Sequence, residues 1–89
     1  MIRMFVRHTV RDYRAWRKAY DAFGKEQERM GVRHQAVFRS VINPNDITVS
    51  HDFKNLRLAR AFVRSRELRE AMQDAGVRSR PSIWFVKEV

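Results

Sequence analysis

Cysteine is absent from this chain. Its absence removes a disulfide framework, a thiolate metal centre and a cysteine nucleophile, and it fits a reducing compartment. Long apolar runs are missing too: nothing approaches the roughly 18 residues that cross a bilayer, and the mean hydropathy is −0.59. A soluble, cytoplasmic protein without a membrane partner is expected. The three glycines are scattered singly, so no glycine-rich phosphate loop exists and a nucleotide cofactor is not expected. No His-Glu-x-x-His helix occurs, and no serine sits in a recognisable triad setting, which disfavours zinc-protease and hydrolase chemistry. Acidic residues are scarce, 10 against 19 lysines and arginines.

What is present specifies a folded domain. A composition of 44% hydrophobic and 11% aromatic residues excludes a disordered chain, and 89 residues suffice for one core only. Residues 1–89 therefore form a single domain. The net charge of +9 raises the question of nucleic acid. The cations lie on the outer faces of two helical segments, at Arg14, Arg17, Lys18, Lys25 and Arg29 and then Arg57, Arg60 and Arg64. Asp21, Glu28 and Glu67 interrupt them, so the reading is a solvated basic surface and argues against a nucleic-acid partner.

Met1–Val10 alternates basic and apolar residues and reads as a strand rather than a leader peptide, with Ile2, Met4, Val6, His8 and Val10 on one face. Asp12 offers a helix N-cap, and Tyr13, Trp16, Tyr20, Phe23, Gln27 and Met30 recur at helical spacing until Gly31 ends the run. One long helix is expected. Val32–Val41 alternates again, with Val32, His34, Ala36 and Phe38 set against Arg33, Gln35, Val37 and Arg39. Asn43-Pro44-Asn45-Asp46 supplies a turn, and Ile47–Phe53 returns with Ile47, Val49, His51 and Phe53 on one side. Asn55 caps a second helix whose apolar face is Leu58, Ala61, Phe62, Leu68, Ala71 and Met72; Ser65 is a candidate break and Gly76 a stop. Ser82–Val89 is the last strand.

The order βαββαβ, with right-handed crossovers, predicts an α+β ferredoxin-like sandwich: a four-stranded antiparallel sheet of order 4-1-3-2 with both helices on one face. Ile2, Val6, Phe38, Val49 and Phe85 are expected beneath the helices. The other face carries Phe5, Val37, Val41, Trp84 and Val86 among Arg7, Arg39, Asp52 and Glu88. It is too apolar for water and too charged for a core, so a homodimer through this open face is expected, with Arg7 or Arg39 pairing with Asp52 or Glu88.

The segments "VRHTVRDYRAWRKAYD", "VFRSVINPNDITVSHDF", "LARAFVRSRELREAMQDAGV" and "PSIWFVKEV" together resemble the dimeric α+β barrel superfamily. Its small members include antibiotic-biosynthesis monooxygenases, stress-responsive A/B-barrel proteins, polyketide cyclases and muconolactone isomerases. The resemblance implies a pocket between sheet and helices for an aromatic or polyketide-like molecule, used in many relatives without metal or organic cofactor. The Asn, His and Trp pattern of the haem-degrading relatives is not found. No reaction transfers with the fold.

All three histidines, His8, His34 and His51, fall on the face expected to meet the helices. A neutral imidazole moves a proton near pH 7 at little cost, which makes His51 and His8 the candidate catalytic residues, His51 first because its strand lies at the sheet centre. The alternative is a core histidine bonded to Tyr20, Gln27 or backbone. Trp16, Tyr20, His34 and Phe62 are the candidate ligand-binding residues, with simple core packing as the competing account. Three histidines on three strands do not converge easily on one ion, so neither metal nor cofactor is expected. Three functions follow: a cofactor-free oxygenase or cyclase/isomerase, a non-catalytic small-ligand or stress-related dimer, and, more remotely, an RNA-binding module. The last lacks the stacking aromatic pair on its third strand.

Overall fold

Asp12 accepts a hydrogen bond from the Ala15 amide, and Asn55 does the same for Leu58, so the two caps start helices where the sequence places them. The computed structural model describes all residues, Met1–Val89. In chain order they form β1 (Ile2–Thr9), α1 (Tyr13–Ala22), α2 (Gly24–Arg29), β2 (His34–Arg39), β3 (Asp46–Phe53), α3 (Leu56–Arg64), α4 (Arg66–Asp74) and β4 (Ser82–Lys87). Gly31 and Gly76 end α2 and α4 at φ of +102° and +78°, where a β-carbon would be strained. Ser65 divides the second helical segment: its backbone is extended, and its side chain caps α4 through the Leu68 amide. The first segment also divides, where one long helix is expected; the break falls at Phe23 and Gly24. At Phe23 the backbone flattens to ψ −5° and its amide is shared between the Ala19 and Tyr20 carbonyls.

The strands form one antiparallel sheet of order β2-β3-β1-β4, the expected 4-1-3-2 arrangement read from the other edge. Met4, Ile47, Phe53, Ala59 and Phe62 are fully buried between the sheet and the helices. β1, β3 and β4 present the faces that alternation predicts. Met4 is opposite His51 and Phe85, and Val6 is opposite Val49 and Ile83. No helix is long and apolar enough to cross a membrane.

β2 corrects the sequence reading by one residue. Val37 pairs with Val49 and Gln35 with His51, so these two side chains share the covered face. His34 and Phe38 pair with Asp52 and Thr48 and lie on the open face, where Phe38 is 53% exposed. The cause is Val32. It is buried in the core but precedes the ladder, held by a bond from its own amide to the Gln27 carbonyl. Its orientation therefore does not set the pleat, and phasing β2 from it turns every side chain over. Arg39 likewise sits on the helix side, its guanidinium 3.9 Å over the Tyr13 ring and its Nε donating to the Pro44 carbonyl. Val41 lies beyond β2, in the connecting loop.

Two ion pairs of the open face close within the chain. Arg3 grips Asp52 with two hydrogen bonds of 2.7 and 3.0 Å, and Arg7 grips Asp46 at 3.1 and 2.7 Å. Asp52 is thus no free partner for a second subunit, contrary to expectation. Between these rows Trp84, Phe5, Ser50 and Ala36 run across the sheet, with Phe5 and Trp84 stacked at 5.3 Å.

Candidate functional site

A cavity opens between the covered face of the sheet and the helices. Val6 and Val49, a cross-strand pair, make its floor; Trp16, Ala19, Tyr20 and Phe23 form one wall; Leu68, Ala71, Met72 and Ala75 form the other. Its only polar side groups are His8, His51, Gln27 and the Tyr20 hydroxyl. Its enclosed part measures about 40 Å³, and the free space reaches about 420 Å³ once the open mouth is included. The interior holds only a few water molecules, well below the roughly 300–1,000 Å³ of typical small-molecule sites, so a ring-sized ligand needs the walls to give way.

Amphipathic spacing creates this wall. Trp16 and Tyr20 lie one turn apart on α1 and stack at 4.8 Å, which buries both rings against the sheet. His8 meets the edge of Trp16 with centroids 6.0 Å apart, and His51 lies parallel to Tyr20 at the same separation. Since His51 is opposite Met4 and His8 opposite Ile47, the two residues sit four strand positions apart along the sheet, roughly 13 Å of backbone at the rise of a strand. They flank the Val6–Val49 floor from its two ends.

Their chemical states differ. The Tyr20 hydroxyl lies 2.8 Å from His51 Nε2. Burial pushes the phenol up to about 12 and the His51 imidazole down to about 4, while Asp52 opposes the latter shift. At neutral pH the pair is uncharged. One hydrogen lies between the Tyr20 oxygen and His51 Nε2, and the imidazole tautomer decides which of the two donates it. His8 is also lowered by burial, to about 4, against the pull of Asp46. Both of its ring nitrogens are buried without a hydrogen-bond partner in the chain, as are His51 Nδ1 and Gln27 Oε1. The cavity therefore carries no formal charge at pH 7, but it has several unspent polar atoms. Buried polar groups left unpaired are costly and uncommon.

The sequence candidates sort as follows. His8, His51, Trp16 and Tyr20 come together around the cavity. Phe62 is fully buried behind it, edge-on to His51 at 5.4 Å and against Phe53 at the same distance, so it supports the imidazole from below. His34 is exposed on the opposite face and does not join them. Against the expected order, with His51 first, the geometry engages His51 Nε2 with Tyr20 and leaves both ring nitrogens of His8 without a partner. Gln27 was read only as a member of the helical stripe or a bonding partner for a histidine. Its signal was a polar residue at a position where the spacing demands an apolar one, and it is 2% exposed. No three ligating side chains converge anywhere in the molecule.

No family model matches the sequence, and no curated protein matches it. Solved structures do. A protein from Bordetella bronchiseptica, provisionally described as an antibiotic biosynthesis monooxygenase, superimposes with a TM-score of 0.83 at 17% identity, over 99% of this chain and 96% of its own. SnoaB, a cofactor-independent oxygenase from Streptomyces nogalater, gives 0.76 at 11% identity, over 99% and 94%. Rv0793 from Mycobacterium tuberculosis gives 0.74 at 11%, over the same shares. Identities this low speak to architecture alone: the chain has the ferredoxin-like α+β fold of the antibiotic-biosynthesis-monooxygenase-like proteins.

Proposed function

We propose that this protein is a cofactor-free enzyme acting on a small electron-rich aromatic molecule, an oxygenase in the first instance, and that it works as a homodimer in the cytoplasm. The observation that carries the reading is a pair of buried, neutral imidazoles bracketing one apolar cavity walled by Trp16 and Tyr20. The flat indole and phenol faces suit an aromatic ring. The fold likeness to a cofactor-independent oxygenase supports the reaction class by analogy only.

His8 is the direct base in this reading, because it holds a lone pair with no competing donor. It takes the proton of an activated ring methylene. Burial weakens an imidazole as a base, and the anion forming beside it restores that basicity. The electron-rich anion then reduces dioxygen. The ring carbon loses two hydrogens and gains one oxygen atom as a carbonyl, and the second oxygen leaves as water. His51 acts through Tyr20: the phenolic oxygen can receive a substrate proton as its own proton passes to His51 Nε2, over the existing 2.8 Å contact.

Aerobic turnover of anthrone, followed as anthraquinone formation, tests this. His8→Ala is expected to lower kcat by about 100-fold or more, the usual scale for a lost general base, and Tyr20→Phe by less. If His8→Ala and His51→Ala both leave turnover unchanged, the catalytic assignment is wrong. Saturable binding of anthrone by a protein that never oxidises it would instead favour the non-catalytic ligand-binding dimer.

A further inference from the structure

The helices share their charges unevenly. From Lys54 to Arg66 the chain carries Lys54, Arg57, Arg60, Arg64 and Arg66 and no acid at all. The acids that interrupt the basic surface stand elsewhere, Asp21 on α1, Glu28 on α2 and Glu67 on α4. On α1 and α2 cations find local partners, Arg17 with Asp21 and Arg29 with Glu26. Arg57, Arg60 and Arg64 on α3 are exposed and enter no ion pair. Like charges three and four residues apart repel one another and destabilise the helix that carries them, so this stripe does nothing for the fold.

The same spacing sets the three arginines along one side of α3, around an open groove of about 320 Å³ that Leu56 and Ala61 complete. Ala61 is exposed one turn beyond Arg57 and three residues before Arg64. Its methyl group leaves the helix open to close approach where a longer side chain would stand in the way. From Arg57 to Arg64 the axis advances roughly 10 Å, which spans about three phosphates of one strand at 3.4 Å of duplex axis each. The helix packs against β1 and β3 on the covered side of the sheet. Its outer groove therefore stays free when a second copy occupies the open face.

We propose that the outer face of α3 is a docking surface for the phosphate backbone of a nucleic-acid duplex, held by Arg57, Arg60 and Arg64 together with Lys54 and without reading base sequence. The planar guanidinium fork meets a phosphate through two parallel hydrogen bonds. No aromatic side chain lines the groove to stack an unpaired base, which favours a duplex over a single strand. A membrane interface calls for large apolar side chains beside the cations, and none of the exposed large apolar residues belongs to α3. Composition argued against nucleic acid because acids break up the cations; the structure keeps those acids off this helix.

The test is fluorescence anisotropy of a labelled DNA duplex of about 20 base pairs and arbitrary sequence, titrated with the full chain at salt from about 50 to 200 mM. Binding with Kd on the order of 10⁻⁵ M is expected at the lowest salt, and log K should fall against log salt with a slope of about −3 to −4, as four neutralised phosphates require. Replacing the stripe by Arg57→Gln, Arg60→Gln and Arg64→Gln together is expected to weaken binding about 10-fold or more and to flatten the slope to about −1. The combination Arg14→Gln, Lys18→Gln and Lys25→Gln removes the same charge from the α1 and α2 surface, and it should weaken binding by no more than about 3-fold. Any of four results overturns the proposal: no binding of the duplex at the lowest salt, equal losses from the two combinations, tighter binding of a single strand of the same length, or tighter binding of poly-glutamate or phosphatidylserine vesicles than of the duplex.

Discussion

The two faces of this one sheet solve the problem of polar side chains in opposite ways. On the covered face the polar groups are neutral and unpartnered, His8 and His51 above all. On the open face they are ionised and paired, Arg3 with Asp52 and Arg7 with Asp46. His51 and Asp52 are neighbours in sequence, so the pleat alone carries one into a dry, uncharged cavity and the other into a salt bridge. The potential for chemistry lies with the unspent atoms, and it is a matter of strand parity rather than composition.

Acid should break this contrast with the largest effect. Both imidazoles have folded-state values near 4 against 6.5 when exposed. The unfolded chain then binds more protons between those limits, and stability rises with pH across that window. Each ring is expected to contribute up to roughly 3 kcal/mol at pH 7 that is gone by pH 4. Urea unfolding at intervals from pH 7 to pH 4 should show the slope, and His8→Leu should remove about half of it. A flat profile would mean that the rings are hydrated and the covered face is not dry.

The open face is sharpened by Trp84, which is 43% exposed and stacked on Phe5. If a second copy covers this face, Trp84→Glu places a charge at the centre of the contact. It should weaken dimerisation by about 2 kcal/mol or more, at least 30-fold in Kd, as read by sedimentation equilibrium, while leaving the fold intact. A protein that is already monomeric at high concentration removes the dimer. With Arg3 and Arg7 committed to acids of their own chain, a contact through this face would be apolar at its middle row rather than built on inter-subunit ion pairs of Arg7 with Asp52.

How far these faces were legible before any coordinates depended on local redundancy. In β1 and β3 four or more residues agree on one phase, and the structure keeps it. In β2 the apolar residues Val32 and Val37 are five apart, an odd interval that no single strand can bury on one face; the ladder follows Val37, and His34 goes with the other side. The caps at Asp12, Asn55, Gly31 and Gly76 were readable because each needs a particular residue type. The division at Phe23 had only a weak mark, Gly24 directly after it, because that glycine keeps a helical φ and the backbone changes mainly in the Phe23 ψ. The meeting of Tyr20 with His51 was readable as one option among several. The four-position offset between His8 and His51 was not, because it depends on the register between β1 and β3.

The smallest effect tests whether the two faces communicate. Asp52 lies behind the sheet from the cavity, yet its charge is what pulls the His51 value upward against the larger effect of burial. Arg3 holds the Asp52 carboxyl below its ordinary 3.8. The aspartate therefore supports the fold above 3.8, and that support is lost as pH falls through its depressed value, in a window below the one in which the histidines act. Asp52→Asn deletes the lower window and should leave the upper one in place. It should also drive the His51 titration, followed by the imidazole resonances, to a still lower pH, while His8, which responds to Asp46 instead, stays where it was. An upward movement of His51, or an equal movement of both rings, would show that the sheet does not pass this charge selectively from its wet side to its dry one.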